Sequence, residues 1–178
     1  MRRPPIWGLL AEFENPTALV AAAARVRDAG YKRIDGHTPF PIEELPEALG
    51  VKPTILPLLV LCGALVGCVG GYFMQYYASN VAYPLNVGGR PMHSWPMFVP
   101  ITFELTVLLG GLTAVIGMLA LNGLPMPYHP LFNVPRFALA TRDRFFLAIE
   151  ARDRRFDRQG TARFLREIGA REVFEVAH

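Results

Sequence analysis

ILPLLVLCGALVGCVGGYFMQYY, residues Ile55–Tyr77, runs for 23 residues without a charge. As a helix it is about 35 Å long, enough to cross the hydrocarbon layer of a bilayer. A link rich in Tyr, Trp, Pro and Gly follows, Ala78–Pro100. It leads into a second apolar run, about residues 99–121, that carries one carboxylate, Glu104. Two spans with a short link predict a transmembrane hairpin, which returns the chain to the side it came from. The chain then divides into 1–52, a hairpin region 53–124 (spans about 55–77 and 99–121), and 125–178.

The charge pattern sets an orientation. The 178 residues are 52% hydrophobic, with a net charge of +3, but 17 of the 18 Lys and Arg lie outside the hairpin and only Arg90 lies in the link. The positive-inside bias therefore predicts that both termini face the cytoplasm. In both flanks the basic residues are interleaved with carboxylates, which argues against a nucleic-acid surface. The N-terminal MRRPPIWGLLAEFENP has too short an apolar run to read as a signal peptide. Cys62 and Cys68, six residues apart in the first span, cannot pair with each other on one helix. No CxxCH, CxxC or P-loop pattern occurs, so no haem, cluster or nucleotide is expected in this chain.

Each flank reads as strand–helix–strand. Ile6–Phe13 is a short apolar run predicting a strand buried over most of its length. Asn15 followed by Pro16 supplies an N-cap and a first helical residue. Leu19, Ala22, Ala23 and Val26 line one helix face, Gly30 ends the helix, and Tyr31–Gly36 forms a strand. Beyond the hairpin, Arg144–Ala151 predicts a third strand and Thr161–Ile168 a helix that Asp157 could cap. Gly169 ends that helix, and Arg171–Ala177 makes a fourth strand. RDAGYKRI (27–34) and REIGAREV (166–173) repeat one pattern of helix end, glycine and strand. Neither flank, at about fifty residues, is long enough to close a core alone. Paired, they predict an α+β membrane protein: a ferredoxin-like βαββαβ cytoplasmic domain split by the inserted two-helix hairpin. The proline-broken 37–53 reads as a solvated linker in which Pro41–Leu49 could hold a helical turn or two, and 126–135 as an irregular stretch at the cytoplasmic surface.

Few residues in this frame could carry chemistry. Glu104, about one turn inside the second span on this reading, is costly in a membrane and so a functional candidate. It could snorkel to the interface, contact a neighbouring helix during assembly, or join a proton path. Thr102 and Thr106 could extend a polar seam beside it. His129 sits at the cytoplasmic mouth and, as a histidine, could accept a proton there, although a fixed turn contact is the commoner outcome. The four histidines lack metal-binding spacing, and neither span contains one. Gly63, Gly67 and Gly71 form a small-residue stripe on the first span, answered by Gly110, Ala114 and Gly117 on the second. These stripes could pack the two spans together or dock one of them on a larger membrane partner. The arginines at 152, 154, 155 and 158 could touch anionic lipid heads, but read rather as a solvated turn because Asp153 and Asp157 interleave them.

WPMFVPITFELTVL (Trp95–Leu108), with Leu124-Pro125 and HPLFN (129–133) downstream, resembles the ActD-type subunit of bacterial alternative complex III, a quinol:electron-acceptor oxidoreductase. The likeness covers nearly the whole chain. It implies an accessory, non-catalytic subunit of a respiratory or photosynthetic complex in the bacterial inner membrane. The expected partners are polytopic quinol-type membrane subunits, a multihaem cytochrome c and an iron–sulfur subunit. On this resemblance the haem c and the iron–sulfur clusters belong to the partners, and this chain holds no cofactor. Two other classes fit the pattern without the resemblance: a membrane-anchored module whose ferredoxin-like domain senses a ligand, and a small homo-oligomeric transporter.

Overall fold

In the computed structural model, which describes residues 5–178, the chain forms two compact units. One comprises the chain up to Lys52 together with Pro127–His178, and the other is Pro53–Met126.

The first unit is built on a four-stranded sheet of β1 (Gly8–Phe13), β2 (Ile34–His37), β3 (Phe145–Glu150) and β4 (Glu172–Val176). Its order is β2-β3-β1-β4, and every pairing is antiparallel. β1 pairs Gly8 with Glu150 on one side and with Val176 on the other; β2 pairs Ile34 with Ile149. Each ladder thus joins a strand before residue 53 to one after residue 126. Three helices accompany the sheet: α1 (Pro16–Asp28), α2 (Leu45–Leu49) and, after the hairpin's helices α3 (Leu56–Tyr77) and α4 (Trp95–Leu121), α5 (Arg158–Glu167). Asn15 Oδ1 caps α1 through the Ala18 N–H at 2.7 Å. Asp157 caps α5 through Gly160 N–H at 2.6 Å.

Alternation along the strands divides the core in two. Leu9, Ala11 and Phe13 of β1, with Phe145, Leu147 and Ile149 of β3, pack against Leu19, Val26 and Leu165 of the helices. Leu45 and Ala48 of α2 join this layer, so 45–49 is a packed helical turn and not a solvated linker. The residues that alternate with these, Leu10, Phe146, Ala148 and Val176, are covered by Leu131, Val134, Phe137 and Ala140. The covering segment consists of two 3-10 turns, Pro130–Asn133 and Pro135–Thr141. The stretch expected to be irregular at the surface is therefore the lid of the second core. Its prolines stop an α-helix, while its apolar side chains still find the sheet.

Glu12 lies on that second face, fully buried in the inner strand β1. Arg136 grips both carboxylate oxygens, through Nε to Oε2 and through Nη2 to Oε1 at 3.0 Å. Arg144 Nε stands 3.6 Å from Oε1. The hydrogen bonds to Glu12, together with its charge, raise the Arg136 pKa above its ordinary value. At the opposite loop end, Asp153 Oδ2 accepts the N–H groups of Lys32 and Arg33 at 2.7 and 2.8 Å, and Oδ1 that of Arg155 at 2.9 Å. Burial works to raise this carboxyl, but the three N–H groups outweigh it and hold the pKa below the ordinary value. On β2, His37 lies edge-on to Phe137, and its Nε2 is buried without a hydrogen bond among the described residues. Burial lowers its pKa; Asp35 opposes the shift and His129 adds to it.

The second unit is the hairpin. α3 has 22 residues and α4 has 27. α3 continues as a π-helical turn through Ala82, and each stretch, with a mean hydropathy of 2.0, is long and apolar enough to cross a membrane. α4 begins at Trp95 and takes in Pro96 and Pro100, four residues before the second apolar run was expected to start. Pro96 falls in the first helical turn, where a proline is accepted without loss, and Pro100 lies inside the helix, so the helix boundary falls in what composition marks as link.

Arg136→Met should leave the buried Glu12 carboxylate without its main partner. The cost at Glu12 should fall below the roughly 3–5 kcal/mol of a fully uncompensated buried charge, because Arg144 stays beside it. Thermal unfolding of the full chain in mild detergent should show a lower midpoint, and adding Glu12→Gln should recover part of the loss. An unchanged midpoint in Arg136→Met would show that the pair is dispensable.

Acid should weaken the sheet unit in two stages. A histidine whose folded pKa is lowered contributes stability above its unfolded pKa, about 6.5. That contribution is lost as pH falls from there toward the folded value. Asp153, also lowered on folding, contributes above the unfolded carboxyl pKa of about 3.9, and its contribution is lost as pH falls through the folded value. Midpoints measured from pH 8 to pH 3 should drop in both windows; His37→Phe should flatten the first and Asp153→Asn the second.

Candidate functional site

The hairpin interior is set by three glycines of α3. A Cβ at Gly67 would lie 2.8 Å from the Leu105 carbonyl carbon and 2.9 Å from Thr106 Cα, so only glycine allows the backbones this close. Gly63 faces Thr113 and Leu109, and Gly71 faces Leu105 and Thr102. From α4, Gly110 meets Ala64 and Gly117 meets Leu56, while Ala114 is half-buried. The α3 stripe is thus taken up by α4 of the same chain. Gly70 and Gly111 meet nothing within 4 Å.

Gln75 supplies the polar contact inside the pair. Its Nε2 donates to the Gly71 carbonyl (3.0 Å), the Phe98 carbonyl (3.0 Å) and Thr102 Oγ1 (3.2 Å). Thr106 and Thr113 donate to the carbonyls of Thr102 and Leu109, both at 2.7 Å. These two threonines satisfy themselves along their own helix. Gln75 was legible as the only amide within the first run; it carries no charge, and a search for ionisable groups passes over it. Beyond it, the Tyr72 hydroxyl and His93 Nε2 are 2.7 Å apart. His93 also packs edge-on to Tyr76 and tilted against Phe98. His93, exposed in the link, is thereby anchored in an aromatic cluster.

Glu104 stands apart from this network. Thr102, Leu105, Thr106, Leu109 and Thr113 form the α4 face toward α3, and at about 100° per residue Glu104 falls on the opposite side. It is exposed and has no hydrogen-bond or ion-pair partner among the described residues. Gly111, seven residues on, shares this outer face and is also exposed. Because α4 starts at Trp95, Glu104 lies about two and a half turns from the start of the helix. Glu104 and Thr106 therefore lie on different sides of α4, and no continuous polar seam joins them.

His129 belongs to the sheet unit. Its Nδ1 accepts the Leu131 N–H at 3.3 Å, and its ring meets Trp7 edge-on at 5.1 Å between centroids. With Trp7, Asp35 and Glu150 it lines a cavity of about 320 Å³. The described residues hold no group of three or more His, Cys, Asp or Glu placed to bind a metal ion.

No curated protein matches the chain. The family comparison matches residues 7–175 to ActD, the ActD subunit of alternative complex III. Since that match spans nearly the whole chain, from β1 through the hairpin to β4, this protein belongs to the ActD subunit family of alternative complex III.

Proposed function

We propose that this chain is a cofactor-free structural subunit that seats its hairpin against a polytopic quinol-type subunit of the complex. Family membership makes it a component of an electron-transport assembly with partner subunits. The observation that carries the finer reading is Glu104, an unpartnered carboxylate on the outer face of a helix with a mean hydropathy of 2.0. Facing lipid at the helix centre, an acidic residue costs about 2.5–3.5 kcal/mol. A hydrogen-bond donor on a neighbouring helix removes that cost. Gly111 on the same face lets the neighbour approach closely.

In this reading the redox work belongs to other subunits, a multihaem cytochrome c and an iron–sulfur protein, and the quinol is handled by the polytopic ones. The membrane is the bacterial inner membrane, with both termini cytoplasmic by the positive-inside bias. The sheet order β2-β3-β1-β4 supports a ferredoxin-like domain, 1–52 with 125–178, that the hairpin at 53–124 splits. Gly63, Gly67, Gly71, Gly110, Ala114 and Gly117 serve as helix-packing residues within the hairpin. A second reading gives Glu104 and His129 a part in proton movement. It is motivated by the carboxylate within the apolar α4 and by the titratable side chain of His129 in the lining of a cavity.

Purification through a tag on this chain in mild detergent, with haem spectra and mass identification, tests the assembly. Glu104→Leu should cut recovery of the large membrane subunits several-fold. Glu104→Gln, which can still hydrogen-bond, should retain them. Full recovery with Glu104→Leu would remove Glu104 from the contact. Proton release coupled to quinol oxidation in the Glu104→Gln complex addresses the second reading, which an unchanged yield of protons per quinol would exclude.

Gly67 and Gly111 separate the two sides of the hairpin. Gly67→Leu should disrupt the α3–α4 pair itself and reduce the amount of chain in the membrane. Gly111→Leu should leave the chain abundant yet poorly associated with the large subunits.

A further inference from the structure

Two loops of the sheet unit, the turn from α1 to β2 and the loop from β3 to α5, meet around a cavity of about 420 Å³. It is lined by Gly30, Lys32, Arg33, Arg152, Asp153, Arg154 and Arg155. Five of these side chains are cationic at neutral pH, and one is a carboxylate. Asp153 keeps its negative charge, but one carboxylate does not balance five cations, and it forms no ion pair with them, both its oxygens being held by the backbone N–H groups of Lys32, Arg33 and Arg155. Nor does Asp157, whose Oδ2 faces the N-terminus of α5. The solvated-turn reading relies on these two carboxylates as counter-charges. In the structure both are turned into the backbone.

Two of the cations are committed elsewhere. Arg33 pairs with Glu150 at 3.1 Å, and Arg155 Nη1 donates to the Ala29 carbonyl at 2.6 Å. Gly30, at φ +91°, leaves the space beside the Arg155 guanidinium that a Cβ would occupy. Lys32, Arg152 and Arg154 have exposed side chains and no carboxylate partner among the described residues. Asp153 thus fixes the two loops against each other and leaves three unpaired cations around one opening.

We propose that this cavity is a binding site for a phosphate-class anion, held by Lys32, Arg152 and Arg154. The guanidinium fork matches a phosphate oxygen pair, and the ammonium adds a point charge. The opening takes a phosphate ester group, whether a free phosphate or the headgroup of an anionic lipid. The site does not depend on how the hairpin packs in the complex.

The test uses the full chain in mild detergent, titrated in one arm with inorganic pyrophosphate. In the other arm, mixed micelles contain phosphatidylglycerol, with phosphatidylcholine as the reference. The chain should bind at least one probe, and binding should weaken as salt rises. Lys32→Gln/Arg152→Gln/Arg154→Gln should weaken it about tenfold or more, the order expected when charge-assisted hydrogen bonds are lost. Arg163→Gln/Arg166→Gln, which removes two exposed cations from α5, should leave it within about twofold. Saturation by pyrophosphate identifies a free phosphate, and response to phosphatidylglycerol alone identifies a headgroup. If the triple variant lowers the unfolding midpoint, Arg154→Gln alone carries the comparison. The proposal is overturned if neither probe binds, if the cavity variant keeps wild-type affinity, or if the α5 variant loses as much.

Discussion

Strand β1 can find hydrogen-bonding partners only in chain that follows the hairpin. It is one of the two inner strands, flanked by β3 and β4, and the edge strand β2 is held by β3 alone. An inner strand without partners leaves its backbone groups unsatisfied in an apolar interior. The N-terminal fifty residues therefore have no sheet of their own, and neither do the C-terminal fifty. Glu12 reinforces this dependence, because its buried charge is matched by Arg136 and Arg144 from the later half. Even the loop lock follows the same rule, with Asp153 accepting from Lys32 and Arg33 across the division.

Much of this was legible from local chemistry. Asn15-Pro16, Asp157 and Gly30 are strong local signals, and the structure uses each where the sequence puts it. The two apolar runs are equally plain, since a helix in lipid has to satisfy its backbone internally. The segments read as linker or irregular surface were harder. Pro41, Pro46, Pro130 and Pro135 mark turns, and the turns are there, but a proline says nothing about whether the side chains beside it are buried. Leu45, Ala48, Leu131, Val134 and Phe137 are buried. The clue lay in the strands: GLLAEF and FFLAIE are apolar on both faces, and a strand of that kind needs cover on both.

The candidate site was legible in part for a similar reason. A carboxylate in an apolar run is conspicuous in one dimension, and so is a spacing of small residues. Which side of a helix each occupies depends on its partner. The partner surface became visible only when Thr102, Leu105 and Leu109 were seen to take up Gly63, Gly67 and Gly71. The hairpin then separates its polar groups: Gln75 and the threonines close their hydrogen bonds inside the chain, while Glu104 is turned outward. An inward amide holds the two helices of the hairpin together, and the acid faces away from both.

The ladder between Gly8 and Val176 also sets an order in time. A chain made from its N-terminus emits β1, α1 and β2 first, then both membrane segments, and the partners of β1 last. Throughout that interval the early strands are open edges, which are the usual starting points of aggregation. The sheet can close only after both apolar helices have been made and the chain has doubled back. A chain stopped within the hairpin would leave β1 unpaired and Glu12 without Arg136 and Arg144.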